Sequence, residues 1–540
     1  MPDPSSGPGR SGHGEFSGTE RFQLIRQLGM GGMGIVYEAV DRESGETVAL
    51  KTLRNVDGPA ILLLKQEFRT LAGLHHPNLI QLGALFESRG DWFFTMELIE
   101  GVSLMEWLRA GDEQRLRDAL VQLVTGLGVL HDAGRVHRDI KPSNVLVTGA
   151  RVVLVDFGLA TRHDSDDLSM RDAETVGTPA YMAPEQASSR PTGPEADFYA
   201  LGVILYEALT GQLPIDGHAL EVMLEKQKRV PPAPSTIADG VPPDLDALCR
   251  DLLQIDPAAR PARGEILRRL GAPARRGSQP AVAQGTLLTP IPRQTFVGRE
   301  TELAVLRDAL AECDSGATVN LLIEGESGMG KSALAEHFVA GLDRRDIVVL
   351  RGRCYERESV PYKGVDGVID SLSRFLARLP DKAAAALLPF HVNLLSEVFP
   401  VLKGVRTIVE QPPVAHVPDP KEERRRVFAA VRELLARIGA RYPLVLLIDD
   451  LHWADEDSLA LLDMVVRGPD APCLMLVSTA WPRGDDELPL EFGGNLRRIK
   501  LRPLGECETA QLARALFAAS GAPGADPTAA IVRESAGHPM

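Results

Sequence analysis

This chain has no basic excess, no paired cysteines and no long apolar run, and each absence excludes something. Its 540 residues carry 59 Lys and Arg against 74 Asp and Glu, a formal net charge of −15. A compact nucleic-acid binder shows a basic face, so the expectation is no nucleic-acid partner within this chain. The five cysteines, Cys249, Cys313, Cys354, Cys473 and Cys507, are scattered, and none pairs at C-x-x-C spacing. Zinc and disulfides are therefore not expected, and the thiols read as free or buried in a reducing compartment. No apolar run approaches the roughly 20 residues of a membrane helix. The opening MPDPSSGPGRSGHGEFSG lacks the apolar stretch of a signal peptide. These features predict a cytoplasmic protein with no membrane partner. No internal repeat is visible. At 44% hydrophobic and 25% charged, the chain has the composition of ordinary globular cores.

Two long patterned regions stand out. Residues 1–18 are rich in Gly, Ser and Pro and read as a disordered tail. Residues 19–270 alternate strand and helix patterns. Residues 271–293, GAPARRGSQPAVAQGTLLTPIPR, have no sustained periodicity and read as a linker. A second globular pattern fills residues 294–540.

In the first region, GMGGMG supplies Gly29, Gly31 and Gly34 as G-x-G-x-x-G. A dinucleotide-binding loop with this spacing opens a helix. Here the chain continues as two strands around a turn at Glu43–Glu46, so the glycines form a hairpin tip over which phosphates can lie. The second strand carries VALK, with Lys51 placed to reach them. The next segment is helical, with Leu64, Phe68 and Leu71 on one face, and its Glu67 is placed to hold Lys51. Taken alone, Glu67 would read as a solvated helix carboxylate. VHRDIKPSNVLV and VVLVDFGLA follow.

In this combination and order, these motifs resemble the eukaryotic-type protein kinases. The resemblance implies that Asp139 accepts or orients the substrate hydroxyl proton, that Asn144 and Asp156 hold Mg²⁺, and that Lys51 holds the ATP phosphates. Lys141 in RDIKPSN marks the serine/threonine type of catalytic loop. The adenine pocket would be lined by Leu28, Val36, Ala49 and the hinge residues Glu97 and Leu98, with Met96 as gatekeeper. Glu185 would pair with Arg260, and Asp197 would tie back to the catalytic loop. Arg138 before Asp139 implies a switch by phosphorylation of the activation segment, with Ser169 and Thr175 ahead of the other hydroxyls there. Each of these hydroxyls reads equally as an ordinary exposed loop residue.

In the second region, an apolar run enters Gly325-x-x-x-x-Gly330-Lys331-Ser332, a phosphate-binding loop. Lys331 would span the phosphates and Ser332 bind Mg²⁺. The buried-strand run Leu444–Ile448 ends in Asp449 and Asp450, the acidic pair that completes such a site; Asp449 would hold the metal and Asp450 orient water. FVGRE, DDLHWAD and SAGHPM resemble the AAA-related signal-transduction ATPases of the STAND class, and Arg483 would be their sensor arginine. That class continues into a lid at about Met540, which predicts an N-terminal portion of a longer protein with the lid truncated.

The fold expectation is a multidomain α+β and α/β chain, a bilobal protein-kinase fold followed by a P-loop NTPase α/β sandwich. The whole resembles bacterial kinases fused to such ATPases. ATP and Mg²⁺ are the implied cofactors, proteins the implied substrates, and self-association through the ATPase half an implied partner mode. The rival expectation is a non-phosphorylating scaffold, or a signal-binding ATPase hub or transcription regulator. A scaffold would normally have lost Lys51, Asp139 or Asp156, and all three are present.

Overall fold

A computed structural model describes residues 16–30, 34–53, 57–109, 112–157, 161–162, 179–188, 190–272, 296–342, 347–412, 419–468, 470–481, 496–520 and 528–539. The tail to residue 15 and the linker from residue 273 lie outside it, as do Gly31, Ser169, Thr175 and Arg483.

The first half opens with antiparallel strands β1 (Phe22–Met30), β2 (Gly34–Asp41) and β3 (Thr47–Leu53). The β1–β2 tip places Gly29 opposite Val36. At Gly34 a side chain is excluded, because a Cβ would collide with the carbonyl of Thr52 on β3. Helix α1 (Gly58–Leu71) follows. Asp57 caps it by accepting a hydrogen bond from the Ala60 N–H at 2.8 Å, and Pro59 sits in the first turn, where its missing donor costs nothing. Ile61, Leu64, Phe68 and Leu71 recur at three- and four-residue spacing and are buried. Strands β4 (Leu82–Ser88) and β5 (Asp91–Glu97) complete the lobe, with β5 paired to β3 so that Ala49 lies opposite Met96.

A helical lobe follows. The helix Glu195–Thr210 is buried over most of its length, consistent with its nearly unbroken apolar sequence, and stops at Gly211 in a left-handed conformation (φ 71°). Glu185 meets Arg260 through a buried two-point ion pair at 2.6 and 2.8 Å, as the sequence implies. Asp197 accepts the backbone N–H groups of His137 and Arg138 at 2.9 and 2.8 Å, and it also pairs with His131.

The second half is built on a five-stranded, wholly parallel sheet. Across the sheet the strands run Val348–Arg353, Leu444–Asp449, Met475–Ala480, Val319–Glu324 and Leu496–Lys500. The central runs are apolar on both faces, as helices on both sides of a parallel sheet require. A further short strand, Glu358–Ser359, leaves this half and joins the first sheet beside β4. The two halves are thus not simply tethered; they share a sheet. No described helix is long and apolar enough to cross a membrane.

One feature of the helical lobe has no sequence signature. Lys226 is 1% exposed, and its ammonium donates to the carbonyls of Pro179, Ala180 and Met182 at 2.7, 2.5 and 2.8 Å, pinning the segment before Glu185. Burial pushes its pKa down to about 7, against the pull of these three acceptors. Lys226→Met leaves buried carbonyls unpaired and is expected to destabilise the chain by roughly 1–3 kcal/mol. Denaturant unfolding followed through the transition of the first half checks this; an unchanged midpoint would show that the carbonyls find other partners.

Candidate active site and nucleotide-binding loop

The register of the first sheet sets the cleft. Val36 on β2 faces Lys51 on β3, and Ala49 on β3 faces Met96 on β5, so one face collects the residues assigned from the sequence to the adenine pocket. Leu28, one residue before Gly29 on β1, is exposed. Glu97 and Leu98 follow directly, and the Glu97 carboxylate is engaged by Arg151 at 2.9 Å and by the Gln81 N–H.

Lys51 is the centre of the charged site. Its ammonium meets both Glu67 oxygens, at 2.7 and 2.9 Å, and Asp156 at 2.8 Å. Burial works against the ammonium, but the two carboxylates outweigh it and hold the Lys51 pKa above its ordinary range. Burial raises Glu67, and Lys51 only partly offsets that. The three groups come from β3, α1 and the segment after residues 151–154, so the geometry requires α1 to be pressed against the sheet. Asp156 and Arg138 both have left-handed backbones (φ 63° and 68°), an uncommon choice for non-glycine residues that concentrates at functional sites.

A second group sits on the catalytic-loop segment. Lys141 donates to Asp139 at 2.8 Å, and the Asn144 amide donates to the Asp139 carboxylate at 3.0 Å and to its backbone carbonyl at 2.9 Å. His137 packs its ring on Phe157 at 4.6 Å and is buried, a place in the core of the loop rather than in the open cleft. The Asn144 carbonyl oxygen and the Asp156 carboxylate are hard oxygen donors of the kind Mg²⁺ takes, so the residues present fit that ion.

In the second half, the loop from Gly325 bends through Gly328 and Gly330, both left-handed (φ 83° and 84°), into the helix Lys331–Ala340. Lys331 donates to the carbonyls of Gly325 and Glu326, each at 2.8 Å, and burial lowers its pKa. The Ser332 hydroxyl reaches Asp449 at 2.8 Å. Sequence reasoning missed three partners here. Thr479, on the strand between those of the loop and of Asp449, donates to Asp449 at 2.5 Å and accepts from the Asp450 N–H at 2.9 Å. Arg299, in FVGRE, donates to the carbonyls of Met329 at 3.3 Å and Arg502 at 2.7 Å, bracing the loop from beneath. Arg353 grips Asp450 through two nitrogens at 2.9 and 3.0 Å. The water-orienting reading of Asp450 thus meets a carboxylate already in an ion pair, with its pKa raised by burial and by Asp449. SAGHPM returns beside the loop: Gly537 accepts from the Leu504 N–H at 2.8 Å, and His538 comes within 3.8 Å of Glu326.

Comparison with known proteins agrees with this division. Residues 22–270 match the protein kinase domain family, and residues 295–477 match the AAA ATPase domain family. The chain is 36% identical over 254 residues to the serine/threonine-protein kinase PknA of Mycobacterium tuberculosis, covering 45% of this chain and 57% of that protein. It is 37% identical over 234 residues to PknE of Mycobacterium bovis, covering 42% of this chain and 41% of the relative. A probable serine/threonine-protein kinase of Bifidobacterium longum, pknA2, is 31% identical over 255 residues, 45% of this chain and 34% of the relative. The match thus spans little more than half the length of the first of these relatives and less of the others.

The brace under the phosphate loop gives a direct expectation. Arg299→Ala removes two charge-assisted contacts and should weaken ADP binding by the second half roughly tenfold or more. Calorimetric titration in a Lys51→Met, Asp156→Ala background, which disables the first site, measures it. Unchanged affinity would show that the loop holds its shape without Arg299.

Proposed function

Because the chain carries a protein kinase domain followed by an AAA ATPase domain, we propose that it transfers the γ-phosphoryl group of ATP to serine and threonine hydroxyls of proteins. In this reading its kinase domain spans residues 19–270, and the ATPase half from residue 294 is a nucleotide-binding switch of the STAND class. The observation that supports it best is the joint presence of two charged groups in one cleft: Lys51 with Glu67 and Asp156, and Asp139 with Lys141 and Asn144.

Phosphoryl transfer asks little covalent chemistry of a protein and much positioning. Lys51 holds the α- and β-phosphates, and Glu67 fixes where that charge points. Asp139 orients the acceptor hydroxyl and takes its proton. Lys141 lies beside Asp139, where its ammonium offsets negative charge on the phosphoryl group in transfer. Asn144 and Asp156 would hold Mg²⁺, which supplies charge neutralisation on the phosphate oxygens. In the second half, Ser332 and Asp449 would hold a second Mg²⁺ and Lys331 a second nucleotide. Turnover there is expected to be slow, because the Asp450 carboxylate is already paired with Arg353. Arg138 supports a phosphorylation switch: burial lowers its pKa, and its Nε has no hydrogen-bond partner among the described residues.

The full chain with Mg²⁺ and ATP should phosphorylate itself and a generic serine/threonine peptide. Asp139→Asn should lower kcat about 10²- to 10³-fold, the usual consequence of losing one preorganised transition-state group. Radiolabel transfer no higher than in the Lys51→Met and Asp139→Asn controls would favour the scaffold reading. Autophosphorylation should map between Asp156 and Glu185, led by Ser169 and Thr175; mass spectrometry finding phosphate only in residues 1–18 or 271–293 would remove the switch. In the Asp139→Asn background, brisk ATP turnover that Lys331→Ala abolishes would show a self-sufficient ATPase instead of a switch.

A further inference from the structure

The two halves meet on α1, the helix that carries Glu67. Residues four apart share a helix face and residues two apart lie on opposite faces, so Lys65 and Arg69 point away from Glu67. They point into the second half. Lys65 pairs with Asp366 at 2.6 Å and Asp370 at 3.1 Å. Arg69 makes a two-point pair with Glu358 at 2.6 and 3.0 Å and reaches Asp366 at 2.7 Å and Asp370 at 2.8 Å. Lys65, Glu358, Asp366 and Asp370 are all under 5% exposed. The first turn of α1 is seated too: a Cβ on Gly58 would strike the carbonyls of Pro400 and Val401 and the Gly404 nitrogen. Glu358–Ser359 extends the sheet at β4, and the Arg357 carbonyl accepts from the Leu85 N–H at 2.9 Å.

The same contact reaches the second nucleotide site. Arg69 lies over the Tyr355 ring at 5.4 Å, and Arg353 lies over that ring at 5.6 Å. Arg353 is the residue that grips Asp450 and stands 3.8 Å from Asp449. A nucleotide at Lys331 and Ser332 places charge directly beside this acidic pair, whose present counter-charges are Arg353, in contact with Asp450, and the nearby Lys331. That is a differential contact, the one thing through which a ligand can bias a conformational equilibrium.

We propose that the ATPase half is a clamp on α1 whose grip is set by the nucleotide in its phosphate loop, with Arg353 as the coupling residue and Lys65 and Arg69 as positioning residues for phosphoryl transfer. This rests on the kinase reading above, with the second half taken as its switch. Releasing the clamp frees α1 to move away from β3 and carries Glu67 off Lys51.

The full chain tests it with two readouts, peptide phosphorylation and hydrogen exchange of the α1 amides. Arg69→Ala should lower kcat about tenfold, change KM for ATP and peptide less than about threefold, and speed exchange across residues 58–71. Tyr355→Leu keeps apolar volume at the junction and should act in the same direction if Arg69→Ala fails to fold. The coupling needs a cycle, since proximity alone does not establish it. Lys331→Ala should shift kcat and α1 exchange at least about threefold in the otherwise natural chain and should shift neither in an Arg353→Ala background. Equal shifts in both backgrounds overturn the coupling. Unchanged α1 exchange in both Arg69→Ala and Tyr355→Leu overturns the clamp. A natural chain without kinase activity would sink the kinase reading, and α1 exchange would still decide the clamp.

Discussion

The position of α1 is the constraint on which the chemistry of the first half depends. Lys51 cannot fix its own direction; a flexible four-carbon stem carries a compact charge. Glu67 fixes it with a two-oxygen contact, and Asp156 shares the same ammonium. The trio holds one positive charge against two negative ones, and Lys51 and Glu67 are buried, so removing Lys51 leaves two carboxylates uncompensated in the cleft. Lys51 is therefore the charge that holds the other two together. Its weakest member in covalent terms is Glu67, which belongs to a helix joined to the sheet by short segments. Whatever holds that helix holds the unit.

Half of the grip on α1 is internal. Ile61, Leu64, Phe68 and Leu71 pack into the core of the first lobe, and Asp57 caps the entry. The other half comes from the second domain, through buried ion pairs and through the packing of the first turn of α1 on residues 400–404. That choice matters physically. Replacing buried ion pairs by packed apolar groups is often neutral or stabilising, while breaking one member of a pair is costly. An ionic seam thus adds little net stability, yet it strongly specifies one arrangement. It also responds to a neighbouring charge, which an apolar seam does not.

What was legible in the sequence follows the chemistry. Phosphate chemistry needs fixed residue types at fixed spacing, so Lys51, Asp139, Asn144, Asp156, Lys331 and Asp449 could be picked from the chain one by one. The bilobal first half was legible only through the family that its motifs resemble, and the parallel second sheet through the apolar run Leu444–Ile448. Glu67 was legible only because Lys51 was. The seam was not legible. Lys65 and Arg69 look like the solvated face of an amphipathic helix, and their partners lie some 300 residues away in sequence, 289 for Arg69 and Glu358. Lys226 and Arg299 were hidden for the same reason: a cation that caps backbone carbonyls leaves no pattern, because carbonyls are everywhere. Arg353 is one arginine on an ordinary strand until Asp450 is placed against it.

Two nucleotide sites of unrelated design in one chain make sense in these terms. The first site is assembled from parts that can separate, since β3, α1 and the Asp156 segment each bring one charge. The second is largely one continuous element, a loop entering a helix, with its amides set by backbone geometry and braced by Arg299. A site assembled from separable parts suits transfer to another protein, because its activity can be withdrawn by moving one helix. A loop that is always formed suits sensing, because it reports nucleotide without first having to be assembled. The charges between them are few: Asp450 to Arg353, Arg353 and Arg69 both against the Tyr355 ring, and Arg69 on the back of the helix whose front carries Glu67. A change of charge at the second site therefore has a short way to travel before it meets the residue that orients Lys51.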